Sequence, residues 1–126
     1  MGEQDLHQVP DGGVLRILPG GLTIIRRKKH EWQDSLARLE AEKLKRRTDK
    51  KWGSKFLAHW DLARVTHWIA GRVQEAGWTL NEQEPHPLLI ELDEEVGVAK
   101  GLRVHTICIV CDGRFVHAYP VEDADG

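Results

Sequence analysis

Cys108 and Cys111 stand three positions apart, with His105 and His117 close by, and these are the side-chain types from which a zinc site is assembled. A tetrahedral centre needs its ligands to converge. The surrounding stretch, LRVHTICIVCDGRFVHAYPV, alternates like a strand, and strand residues three apart point to opposite faces. One ion therefore cannot take both thiols without a distorted backbone, and neither a second C-x-x-C nor a His-x-His is present. The expectation is two small buried cysteines and no metal. Cys108 placed opposite His117 would also make a thiol–imidazole pair. No orienting Asn or Asp and no oxyanion hole can be assigned to it, so a half-buried strand pair is expected instead.

Glu91, Asp93, Glu94 and Glu95 are a second cluster with chemical potential, since acids on a strand can hold a divalent ion for phosphoryl chemistry. Glu91 and Asp93 share a strand face, but the lysine such a site needs is missing. Lys100 lies beyond a glycine-containing loop. The cluster reads better as an acidic loop that keeps a strand end soluble.

The third cluster is cationic. AEKLKRRTDKKWG places six Lys and Arg within nine positions, 43 to 51, of a 126-residue chain whose formal net charge is −2. Residues 26 to 55 hold 12 of the 18 Lys and Arg against five acids, and residues 73 to 126 hold 11 acids against Lys100, Arg103 and Arg114. The overall charge thus conceals a basic first half and an acidic second half. One or two cations near a helix end would complement its dipole. Six call for a partner, and phosphates would supply sequence-independent affinity.

The elements that position these residues follow from periodicity. Residues 1–12 read as a flexible lead-in. In VLRILPGGLTII, Pro19-Gly20 suits the centre of a tight turn that pairs Leu18 with Gly21, Ile17 with Leu22 and Leu15 with Ile24. That register puts Leu15, Ile17, Leu22 and Ile24 on one face. From about Glu31 to Lys50 the composition predicts a helix whose stripe of Trp32, Leu36 and Leu39 continues as Lys43, Arg46, Arg47 and Lys50. Its basic end would run past the core.

A second helix is predicted from Lys55 to Ala76, capped by Ser54 and closed by Gly77, with Leu62, Val65, Ile69, Val73 and Ala76 at helical spacing. LLIEL, residues 88 to 92, is a strand. Asp112-Gly113 predicts a hairpin that pairs Ile109 with Val116 and Thr106 with Tyr119. Ile107, Ile109, Cys111, Val116 and Ala118 then share one face. The other carries Phe115, His117 and Tyr119, an aromatic strip suited to stacked bases, to burial or to a dimer seam, the last two being favoured.

The fold expected is α+β: a small antiparallel sheet, in the order β-β-α-α-β-β-β, packed on a tryptophan-rich helix with a basic helix projecting from it. Residues 13–121 form the single domain and residues 122–126 an acidic tail. The function expected is a non-catalytic module that recognises nucleic acid or another polyanion through Arg26, Arg27, Lys28, Lys29, Lys43, Arg46, Arg47, Lys50 and Lys51. The alternative is a protein-interaction or inhibitor module that docks on an acidic protein surface, or through its own acidic segment, and forms a homodimer through Phe115, His117 and Tyr119. No cofactor is indicated, and no apolar run reaches the roughly 18 residues of a membrane span. A cytoplasmic location is expected.

Overall fold

Two hairpins, one near each end of the chain, meet in a single sheet. The structure, a computed structural model, describes residues 13–27, 30–31, 54–80, 86–99 and 102–124. The first hairpin is β1 (Val14–Ile17) with β2 (Thr23–Ile25). β3 (Lys55–Phe56) precedes α1 (Leu62–Ala76), and β4 (Leu88–Glu91), β5 (Gly97–Ala99), β6 (Leu102–Val104), β7 (Thr106–Asp112) and β8 (Phe115–Val121) follow. Residues 32–50 of the predicted helix lie outside the described residues.

The larger sheet runs β1-β2-β8-β7-β4, and the smaller runs β3-β5-β6. The larger is mixed rather than antiparallel, because β2 pairs with β8 in parallel through Thr23↔Phe115 and Ile24↔Val116. Strands so far apart in sequence carry no local signal of their direction. The second sheet was also not anticipated: the glycine-containing stretch between the acids and Lys100 contains β5, which pairs with β3 through Lys55↔Val98 and Phe56↔Gly97.

The first turn shows how one residue resets a register. Gly21 N–H donates to the Leu18 carbonyl at 3.0 Å, so Pro19 and Gly20 do occupy the centre of the turn. Leu18 N–H, however, donates to Leu22 O at 2.7 Å, which adds Gly21 to the loop. Gly20 and Gly21 take φ of 96° and 104°, values that side chains with a Cβ rarely adopt. The pairs become Ile17↔Thr23 and Arg16↔Ile24, with an irregularity before Val14↔Ile25. Ile17, expected in the core, is instead 68% exposed, and Leu18 and Leu22 at the loop enter the core in its place.

The C-terminal hairpin is displaced by two residues rather than one. Gly113 and Arg114 form its loop, flanked by Asp112↔Phe115, so Ile109 faces Ala118, Thr106 faces Val121 and Cys108 faces Tyr119. The displacement preserves parity, and Ile107, Ile109, Val116 and Ala118 do share the core face, with Cys111 packed against it.

α1 covers that face with Val65, Ile69 and Val73. It begins at Leu62 rather than Lys55, because Asp61 is the better cap: its carboxylate accepts from Arg64 N–H at 2.9 Å. Gly77, in the left-handed conformation, closes it as expected. Ile24, Ile69, Ile107, Ile109 and Val116 are almost wholly inaccessible, each side chain stabilising the fold by about 1.5–3 kcal/mol.

Gly97 joins the two sheets. An added Cβ there would lie 2.5 Å from the Lys55 carbonyl oxygen and 2.7 Å from Pro120 Cβ. Neither neighbour can yield, since one is backbone and the other belongs to a fully buried ring. Gly97→Ala should lower unfolding stability by about 1–3 kcal/mol in urea denaturation, whereas Ile17→Thr on the exposed edge should change it by less than about 0.5 kcal/mol.

Candidate functional site

The chain leaves the sheet at the first two of the predicted cationic residues. Arg26 follows the last residue of β2 and forms a bidentate pair with Glu31, Nε to Oε2 at 2.6 Å and Nη2 to Oε1 at 2.8 Å. That pair holds the Arg26 guanidinium above its already high value, through the hydrogen bond first and the charge of Glu31 second. Arg27 turns the other way, its Nε buried with no hydrogen-bond partner among the described residues. Lys28, Lys29, Lys43, Arg46, Arg47, Lys50 and Lys51 lie outside the described residues.

Arg27 lines a cavity of about 170 Å³ that no sequence signal foretold. β2 borders β8 for two paired positions, and beyond them no further strand among the described residues lies on that side. Leu15, Ile25, Phe56, Val65, Ile69 and Ala118 give the cavity apolar walls, while Arg27, His30, Glu31 and Asp61 bring polar groups to it. The ladder also sets the backbone. Asp112↔Phe115 closes a two-residue loop, so alternation turns the N–H groups of Val116 and Ala118 away from β7, Val116 toward its partner strand β2 and Ala118 toward the side beyond the last β2 pair. Pro120 falls on the same parity, and its missing N–H costs the β7–β8 ladder nothing.

His30 closes this region from the far side. Its Nδ1 lies 2.8 Å from the Ser54 carbonyl, which can only accept, so Nδ1 carries a proton. Its ring stacks on Tyr119 at 5.2 Å, and His117 stacks on the same tyrosine at 6.0 Å. Phe115, His117 and Tyr119 are thus brought together on one half-buried strip, as their alternation implied.

Cys108 is 5% exposed, and its partner is Tyr119 rather than His117, which faces Val110. Burial pushes the Cys108 thiol up, the hydrogen bond from Tyr119 pulls it down by less, and the balance is upward. Burial also raises the Tyr119 phenol, helped by Cys108. A thiol kept protonated is the opposite of an activated nucleophile. Cys111 sits on the other sheet face, packed against the core. Among the described residues no three His, Cys, Asp or Glu converge as metal ligands.

Glu94, one of the four clustered acids, proves to be a structural tie. Its Oε1 accepts from Trp60 Nε1 at 2.8 Å and from Arg64 Nη2 at 2.6 Å, and the Arg64 guanidinium lies 4.0 Å from the centroid of the Trp60 ring. Trp60 is buried and meets Trp68 edge to face at 5.9 Å. A buried indole needs a partner for its N–H, and the acidic loop provides it.

Asp123, near the chain end, has a similar task. Its carboxylate accepts from His105 N–H at 2.7 Å, lies 3.1 Å from His105 Nδ1 and accepts from the Thr106 hydroxyl at 2.9 Å, where the chain passes from β6 into β7. Desolvation raises its carboxyl, but the His105 and Thr106 bonds together outweigh it and leave it below the ordinary value.

The described residues define a mixed α+β protein with a small cavity at the opening of its main sheet, and none of their helices is long and apolar enough to cross a membrane. No protein-family model, curated protein or solved structure matches the chain. Its function must be argued from its own residues.

A carboxyl lowered in the folded state contributes stability that is complete above its unfolded value and lost as pH falls through the folded one. Asp123→Asn, which keeps the shape and removes the charge, should cost about 1 kcal/mol at pH 7. The difference from the parent protein should shrink in parallel urea titrations as pH falls below the ordinary carboxyl value and through the lowered, folded one.

Proposed function

We propose that the protein is a non-catalytic binding module for a polyanion, nucleic acid foremost, with the run from Lys43 to Lys51 as its main contact. What supports this reading is how the acids of the second half are matched. Glu75 pairs with Arg72 at 3.1 Å, Glu94 with Arg64 at 2.6 Å and Glu95 with Arg103 at 3.8 Å, and Asp123 is held by His105. These partners all come from outside residues 26 to 55. Four acids of the second half thus have neighbours of their own, and in the sequence the six cations at 43 to 51 outnumber Asp49.

Within the first group of cations, Arg26 is neutralised by Glu31 and Arg27 faces a cavity, so phosphate contacts would fall to Lys28, Lys29 and the later run. Lysine-rich surfaces of this kind hold phosphates without reading bases, and weak sequence discrimination follows. Each phosphate engaged on duplex DNA steepens the fall of log K with log salt by about 0.9.

The test is fluorescence anisotropy with short labelled single- and double-stranded DNA and RNA. Micromolar or tighter binding is expected at about 50 mM salt, weakening at least tenfold by about 300 mM. Arg46→Glu/Arg47→Glu/Lys50→Glu should remove binding while leaving thermal unfolding unchanged. An undiminished affinity in that triple variant would overturn the proposal.

A further inference from the structure

We infer that the free edge of β4 is a docking site for an extended basic peptide, which adds to the larger sheet as a sixth strand. This goes beyond the polyanion reading and is independent of it. β4 ends the strand order, and its register against β7 runs unbroken from Leu88 to Glu91. The opposite edge is less suited to extension, because an irregularity between Val14 and Arg16 interrupts β1.

The ladder fixes which backbone groups the edge of β4 offers. Asp112↔Phe115 turns the even-numbered residues of β7 toward β8, so Ile107 and Ile109 bond to their partners Ile90 and Leu88. Leu92 N–H continues that series, donating to the His105 carbonyl at 2.8 Å. Leu89 and Glu91 therefore direct their N–H and C=O groups outward, the kind of groups with which an added strand pairs. Leu89 is 68% exposed and Glu91 is exposed beside it, so this edge is uncovered.

An open groove of about 430 Å³ runs along the same edge, with Ile90 and Leu92 on its strand side and Arg64 and Arg72 on its α1 side. Each arginine already has a carboxylate, Glu94 at 2.6 Å and Glu75 at 3.1 Å, and each lies over an indole ring, Trp60 and Trp68. The groove thus has no call for an anion. It takes apolar side chains from the added strand, next to Ile90 and Leu92.

Charge selects the occupant. Glu91 and Asp93 form no ion pair among the described residues, whereas Glu94 and Glu95 are matched by Arg64 and Arg103. Glu91 and Leu89 share a face. The complementary strand therefore carries Lys or Arg opposite Glu91 and an apolar residue opposite Leu89. A second copy of β4 does not meet that pattern. A two-fold centred on Glu91 sets two carboxylates face to face, and one centred on Ile90 sets each Glu91 against Leu89. One centred on Leu89 sets Pro87, which has no N–H, against Glu91.

The experiment titrates the full chain with the capped hexapeptide KVKVVT, followed by amide NMR and calorimetry, and compares it with EVEVVT. In antiparallel pairing the second lysine falls opposite Glu91 and the last valine opposite Leu89. KVKVVT should move the Leu89 and Glu91 amide protons downfield, as new hydrogen bonds require, and bind at least tenfold more tightly than EVEVVT. Glu91→Lys should remove or reverse that preference. Leu89→Pro, which deletes an outward N–H and no bond to β7, should abolish strand addition. Equal affinity for the two peptides would overturn the inference, as would shifts confined to residues away from β4, no shifts at all, or a dimer formed through β4 without peptide. The comparison in the unaltered protein decides the matter even where a variant does not fold.

Discussion

The pairing of β2 with β8 is the constraint on which the architecture rests. Among the described residues Thr23↔Phe115 and Ile24↔Val116 are the strand pairs that join the first hairpin to the last, with Thr23 N–H donating to the Arg114 carbonyl at 2.8 Å. Those two positions join two local hairpins, the second already extended by β4 along β7, into one five-stranded sheet and bury Ile24 completely. They also decide where the sheet ends. The pairing stops at Ile24, and among the described residues no strand borders β8 on that side beyond Val116, where the cavity opens beside Ala118.

What could be read from the sequence was the part that local chemistry controls. α1 ends at Gly77 and buries Val65, Ile69 and Val73 because capping and period 3.6 act within a few residues. The faces of β7 and β8 survived a displaced turn, since a shift that preserves parity leaves every side chain on its side. Ile17 was misplaced for the opposite reason. One extra loop residue, Gly21, changed parity, and two adjacent glycines leave open which of them the turn includes. The parallel pairing and the β3–β5 ladder depend on residues distant in sequence, whose meeting only the tertiary fold determines.

The candidate site was legible in proportion. The aromatic strip of His117 and Tyr119 follows from alternation alone, whereas His30 stacking on it required the fold. Arg27 looked like one cation among four, and nothing in RRKK distinguishes the residue that turns inward. The acids around Glu94 looked like chemistry or solvation, yet the buried Trp60 indole explains Glu94 through a single hydrogen bond. Among the described residues, Glu94 and Asp123 are charged groups that hold elements together. The basic run supplies the binding reading.

The most direct measurement is long-range NMR of the β2–β8 junction. The account predicts nuclear Overhauser contacts between the Ile24 and Val116 methyl groups, together with slow hydrogen exchange at the Thr23 amide. Absence of those contacts, with Thr23 exchanging as freely as an exposed hairpin edge, would contradict it and would remove both the single sheet and the cavity beside it.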